Sequence, residues 1–363
     1  MDGWSGPVDS DSRTPSPDPQ RPEFPYRSGL KLTIRRHNPP PPYGAYYLKG
    51  SKRDYAPPPS TLKVTQSEWC LQHPPEESRS PHPDTTPHTL RVLDEIACED
   101  GRGAQVIRCC LDDDESQVYA AKIYDALYYR WPDDVTWVAD EDYRREAAAY
   151  EEMQKLGVDG ELAPEYFGSW TTDVVASTDT RALRPVRILL MEYLQGNSML
   201  SLIDKNQVAT IPPQRRLDIL KTAIEAKSQL HLHHIWHGDF APRNIMLVES
   251  HPMDEMPRVV LIDFNRSIVA TQPNSKIPVL QRHLPANPIN TWWEFDEEFY
   301  NWVPEPHRSR ASVWRGWLKA IWGNSRRFES LEGWVLEHFE TDKTEYLPPM
   351  PDAETADKSN LWW

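Results

Sequence analysis

Four side chains in the second half of the chain are of the types that phosphoryl transfer needs. His237, Asp239 and Asn244 stand in His237-Gly238-Asp239-Phe240-Ala241-Pro242-Arg243-Asn244, and nineteen residues after the asparagine comes Asp263 in Leu261-Ile262-Asp263-Phe264. Moving a phosphoryl group from a metal-bound nucleotide to a hydroxyl calls for a carboxylate beside the attacking oxygen, which Asp239 supplies. It also calls for oxygen ligands that hold Mg²⁺ against the phosphates, and the Asn244 amide and the Asp263 carboxylate offer them. The chemistry therefore requires two separate segments to converge on one ion.

Those segments need a scaffold, and the flanking sequence supplies its elements. Arg258-Val259-Val260-Leu261-Ile262 reads as a strand that delivers Asp263. Upstream, residues 89–93 and 104–110 read as strands flanking Gly101-Arg102-Gly103, and residues 117–124 as a third. A helix is expected from about Glu141 to Leu156, with Ala149, Met153 and Leu156 on one face and Glu146 sharing that buried edge. Residues 166–170 and 186–193 add two more strands. Beyond Gly196 helices dominate, one of them running from Gln214 to about His231 behind Pro212-Pro213, where proline suits a helix start. Trp314, Trp317, Leu318 and Ile321 have the spacing of a core-facing helical stripe.

The loop and the strand-borne Asp-Phe resemble the catalytic and metal-binding loops of the protein-kinase-like superfamily, a likeness that runs over roughly residues 90–270. It implies an α+β, two-lobed fold: an N-lobe antiparallel sheet plus one helix over residues 89–194, and a mostly helical C-lobe over 195–340. Residues 341–363 would form a tail. It implies ATP as phosphate donor and Mg²⁺ as its metal. By the same likeness Lys122 holds the α- and β-phosphates, while Gly101, Gly103 and Val106 cover the nucleotide. Glu146 is expected to pair with Lys122, with Glu151 and Glu152 as rivals. Met191 would line the adenine pocket, and backbone groups of Glu192 and Leu194 would meet the adenine edge. Asp239 becomes the catalytic aspartate, Asn244 and Asp263 the metal ligands, and His237 a brace against Phe264. His231, His233 and His234 fall at the end of a helix and read as terminal and packing groups rather than a metal site.

Departures from the protein-kinase pattern bear on the acceptor. Gly238 replaces the arginine of His-Arg-Asp, so a phosphorylated segment finds no partner there. His-Gly-Asp is what small-molecule kinases of the aminoglycoside and choline type carry. Ala241 stands where serine/threonine kinases place a lysine, and Arg243, two residues on, resembles the tyrosine-kinase arrangement and substitutes for it. Asn265 replaces the glycine of Asp-Phe-Gly and is expected to take the left-handed geometry of that turn. Only two glycines remain in the loop over the phosphates, and no Ala-Pro-Glu follows. Protein and small-molecule acceptors both stay open, and the alternative is a pseudokinase scaffold that binds nucleotide and recruits partners through its arm.

That arm is the proline-rich amino-terminal region. Eighteen of the 35 prolines lie in residues 1–88, and such a composition predicts a largely disordered segment. Within it Pro40-Pro41-Pro42-Tyr43 has the PPxY form that WW domains bind. Thr14-Pro15, Ser16-Pro17, Ser80-Pro81 and Thr86-Pro87 are acceptors for a proline-directed kinase. A net charge of −15 argues against a general nucleic-acid binder. The amino terminus lacks a signal-peptide layout, and no apolar run approaches the roughly 20 residues a membrane span requires. With four cysteines and no CxxC pair, the expectation is reduced thiols in a cytoplasmic or nuclear protein without membrane partners.

Overall fold

The computed structural model describes residues 18–48, 54–56, 64–130, 133–248 and 256–352. Two compact units divide them: residues 1–157, 165–193 and 271–277 in the first, and residues 158–164, 194–270 and 278–363 in the second. Thr14-Pro15 and Ser16-Pro17 lie outside the described residues.

The first unit contains strands β1 (Lys31–Arg36), β2 (His88–Ala97), β3 (Gln105–Leu111), β4 (Asp114–Tyr124), β5 (Tyr166–Val175) and β6 (Leu183–Glu192), with helices α1 (Gln66–Gln72) and α2 (Val135–Leu156). The strands close into an antiparallel barrel in the order β1-β2-β3-β4-β6-β5. Five of them fall where expected. The sixth, β1, corrects the expectation of a disordered region over residues 1–88. It pairs with β2 on one side and β5 on the other, and so covers both edges that an open five-stranded sheet would leave bare. Its sequence carries the reason, because Leu32 and Ile34 point into the core while Lys31, Thr33 and Arg35 face out. Tyr26 fastens the same arm, its hydroxyl donating to Asp125 Oδ2 at 2.5 Å where Arg184 pairs with the same buried carboxylate. Ile34, Leu90, Val92, Ile107, Cys109, Ala121, Ile123, Ile188 and Leu190 fill the barrel. The four cysteines are free, and Cys70, Cys109 and Cys110 are buried.

Helix α2 begins six residues before the expected start. Asp134 caps it by accepting from the Trp137 amide, and Val135 is fully buried. Gly157 ends it in the left-handed conformation, φ +67°.

The second unit is mostly helical: α3 (Met199–Asp204), α4 (Pro213–Leu232), α5 (Ile289–Trp292), α6 (Ala311–Trp322) and α7 (Gly333–Thr341), with short strands β7 (Gly196–Ser198), β8 (Ile235–Trp236), β9 (Ile245–Val248), β10 (Arg258–Leu261) and β11 (Ile268–Val269). Its core is built on tryptophan. Trp302, Trp314 and Trp322 are buried, and each indole N–H finds an acceptor, on Arg216 O, Trp292 O and Glu225 Oε1 respectively. Residues beyond α7 pack on this unit, with the Glu345 amide bonded to Ser312 O and Asp352 paired to Arg216. No helix among the described residues is long and apolar enough to cross a membrane.

Candidate functional site

In the first unit, antiparallel pairing sets Val106 of β3 directly opposite Lys122 of β4, which puts both side chains on one face. Lys122 Nζ donates to Glu146 Oε2 at 2.5 Å, and the lysine is 9% and the glutamate 1% exposed. Of the three candidate glutamates on α2, Glu146 therefore meets the lysine. Glu151 is half-buried, and its partial desolvation raises its pKa, while Glu152 accepts from Thr271. The Tyr124 hydroxyl donates to the same Glu146 oxygen at 2.7 Å. Sequence reasoning missed Tyr124, although on a strand residues i and i+2 share a face and Tyr124 stands two after Lys122. A buried carboxylate with two donors is locked to one position.

Gly101 (φ +81°) and Gly103 (φ +119°) make the turn between β2 and β3. Gly101 has open space around its missing side chain, so backbone conformation alone demands glycine there. The turn is braced from inside by Gln105, which accepts from the Glu99 amide and donates to the Glu99 and Gly103 carbonyls. Met191 is buried near the end of β6, where Tyr150 OH lies 3.5 Å from its sulfur. The Glu192 amide donates to Glu165 O at 2.8 Å, so that group is already committed. Leu194 is half-buried and opens the second unit.

In the second unit the hairpin of β9 and β10 sets Ile245 against Leu261. One step beyond that pair, the Ile262 amide donates to Asn244 O at 2.9 Å, which brings Asp263 beside Asn244 despite their separation in sequence. The Asn244 amide group donates to Asp239 O at 2.8 Å and to Asp239 Oδ2 at 2.9 Å, and Asn244 is buried. With both amide hydrogens committed, Asn244 Oδ1 is the atom left to act as a ligand. Arg243 Nη2 donates to Asp239 Oδ1 at 2.5 Å, while Nη1 donates to Glu298 Oε2 at 3.1 Å. Glu298 gave no signal in the sequence, because its partner lies 55 residues away.

His237 holds the loop in place. Its Nδ1 accepts from the Asp239 amide at 3.3 Å and its Nε2 donates to Ile262 O at 2.9 Å, the pattern of a neutral imidazole. Burial, the largest influence, lowers its pKa in the same sense. Its ring lies 4.7 Å from that of Phe264. The expected left-handed residue moves: Asp263 itself takes φ +66°, and Phe264–Arg266 form a single 3₁₀ turn, so Asn265 does not supply that geometry. Gly238 has φ +74°, and a Cβ there would collide with the Arg266 carbonyl. Glycine before Asp239 is thus a steric demand of the chain crossing behind it. His231 sits in the last turn of α4 and His233 caps it, and among the described residues no group of three or more His, Cys, Asp and Glu could hold a metal ion.

A barrel-borne lysine locked to a helix glutamate, a mostly helical second unit and a His-Gly-Asp loop beside Asp-Phe resemble the layout of the protein-kinase-like superfamily. More particularly, residues 171–278 match the family described as "Lipopolysaccharide kinase (Kdo/WaaP) family", a stretch that takes in Asp239, Arg243, Asn244 and Asp263. No curated protein matches the chain. Among solved structures, two of the PknI kinase domain of Mycobacterium tuberculosis are similar at 18% identity over 49% and 51% of this chain and 60% of each PknI chain, with TM-scores of 0.34. Vaccinia related kinase 3 is similar at 14% identity over 55% of this chain and 54% of its own, with a TM-score of 0.33. The chain thus spans about three fifths or less of these kinases.

Proposed function

We propose that the chain transfers the γ-phosphoryl group of ATP to a hydroxyl of a protein or small molecule. The observation that carries this reading is the meeting of Asp239, Asn244 and the Asp263 segment on one hairpin, with both Asn244 amide hydrogens fixed on Asp239. One carboxylate and one amide oxygen are hard ligands of the kind Mg²⁺ takes, and Asp263 and Asn244 would hold it. Bound there, the metal would neutralise charge on the phosphates. Asp239 aligns the acceptor hydroxyl and takes its proton as the oxygen bonds to the γ-phosphorus and the bond to the β,γ-bridging oxygen breaks, releasing ADP. Arg243, tied to Asp239 and half exposed, steadies the carboxylate. Lys122, fixed by Glu146, binds the α- and β-phosphates. Gly101, Gly103 and Val106 cover the nucleotide, and Met191, Glu192 and Leu194 receive the adenine.

The scaffold alternative draws on the two-glycine loop and on Asp-Phe-Asn, with the proline-rich arm recruiting a WW or SH3 module. Tyr43 of Pro40-Pro41-Pro42-Tyr43 is buried, its hydroxyl donating to Trp137 O at 2.5 Å, so the tyrosine of the WW-type motif packs against α2. Thermal-shift titration with ATP and Mg²⁺, run beside an ADP-release assay over peptides and hydroxylated metabolites, tests the enzyme reading. Stabilisation by nucleotide without turnover on any acceptor would overturn it.

A further inference from the structure

The buried PPxY tyrosine belongs to a strap. Residues 37–48 run along one face of α2, meeting Trp137, Glu141, Arg144 and Arg145, which follow i, i+4, i+7, i+8 spacing. Arg145 Nε donates to Tyr43 O at 2.9 Å, and the Arg144 guanidinium lies 4.9 Å from the centre of the Tyr43 ring. Tyr43 and Trp137 pack edge to face at 4.9 Å. Gly44 has φ +107°, and a side chain there would run into the ends of Arg145 and Glu141. At its far end the strap captures residues 271–277, which lie eight positions and more beyond Asp263 yet belong to the first unit. The Leu48 amide donates to Asn274 O at 2.7 Å, and the Lys276 amide to Tyr46 O at 2.9 Å. Tyr47 and Ser275 form an antiparallel bridge. Asn274 Nδ2 donates to Pro42 O at 2.6 Å, and Lys276 Nζ to Ala45 O at 3.1 Å. On α2 itself, Glu152 accepts from Thr271 at 2.8 Å.

We propose that this strap is a built-in positioning device, with Tyr43 and Gly44 as positioning residues. It fixes α2, and through it Glu146 against Lys122, and it orders the segment that follows the metal loop. The need for it comes from Gly238. With no arginine before Asp239, a phosphate on that segment has nothing there to bind, so order must come from other bonds. Backbone pairing with the strap supplies them without any modification. Proline suits the task, because a chain already restricted in φ loses little entropy on docking.

The proposal rests on the phosphotransfer reading for its catalytic half only. The test compares the full chain with Tyr43→Ala and Asn274→Ala by hydrogen exchange, thermal melting and steady-state kinetics. In Tyr43→Ala, amides of residues 45–48 and 272–277 should exchange about tenfold faster together, with β3 unchanged. The kcat should fall roughly tenfold to hundredfold while KM for ATP stays within about threefold. Asn274→Ala, which removes one bond far from Glu146, should loosen residues 45–48 with a smaller loss of kcat, and it decides the matter if Tyr43→Ala does not fold. Opening of residues 40–48 that leaves 272–277 protected, or leaves kcat unchanged, overturns the proposal. A wild type without turnover on any acceptor defeats the phosphotransfer reading instead, and the exchange data still decide whether the strap holds the segment.

Discussion

Each unit carries one set of the residues in the proposed chemistry, and the two sets are built differently. Lys122 and Glu146 sit on a long strand and a long helix, almost wholly buried, and regular geometry brings them together. Asp239, Asn244 and Asp263 sit on loops whose backbone departs from the ordinary: Gly238 and Asp263 both have positive φ, and Asn244 ends a single 3₁₀ turn. The first set depends on packing and charge pairing in a dry interior. The second depends on backbone conformations that neighbouring carbonyl and amide groups enforce. The lysine site should accordingly fail through lost stability as well as lost binding, and the loop site chiefly through lost chemistry.

Asp239→Asn is the sharpest test of that contrast. Turnover should fall about 10³-fold or more, while ATP binding and melting temperature hold; equal turnover in mutant and wild type would remove Asp239 from the mechanism. Lys122→Met should weaken nucleotide binding and turnover and also destabilise the first unit by roughly 3 kcal/mol, because the buried Glu146 carboxylate loses its ammonium partner. A variant that binds nucleotide and melts like wild type would show that the buried pair carries nothing. Gly238→Ala forces a Cβ against the Arg266 carbonyl at φ +74°, at a cost of about 1–3 kcal/mol. Its turnover should drop more than its melting temperature, and the reverse would make the glycine a folding residue.

A pH series separates burial from loop geometry. Burial pulls His231 and His307 down to about 4, below the ordinary value near 6.5. As pH falls below about 6.5 the unfolded chain takes up protons that the folded chain refuses. The stability from these groups is therefore full above that pH and is lost as pH approaches 4. Melting temperature should decline by roughly 5 °C between pH 7 and pH 5, and His307→Gln should flatten part of that slope; a level profile in the wild type would contradict it. The smallest effect belongs to Arg243→Ala, whose ion pairs to Asp239 and Glu298 are partly exposed. It should change stability by less than about 1 kcal/mol while lowering kcat several-fold, and an unchanged kcat would reduce Arg243 to a surface charge.

Much of this was legible along the chain because it is local. Apolar, β-branched runs marked five strands of the barrel, a proline pair marked the start of α4, and Asp-Phe behind an apolar strand marked the loop of Asp263. Even β1 was written in the period-two pattern of Leu32 and Ile34, which the surrounding proline content hid. Tyr124 was equally within reach, two positions from Lys122.

The sequence by itself determined which elements carry Lys122, Asp239, Asn244 and Asp263, the residues of the proposed phosphoryl transfer, since residue type and period are properties of short stretches. Tertiary structure alone decided which glutamate meets Lys122, that Gly238 must be glycine, that Asp263 bears the left-handed turn, and that the PPxY tyrosine turns inward. Each of those outcomes depends on atoms brought together from distant parts of the chain, such as the Arg266 carbonyl behind Gly238 or Trp137 beneath Tyr43. Close approach of that kind arises from packing, and no local pattern encodes it.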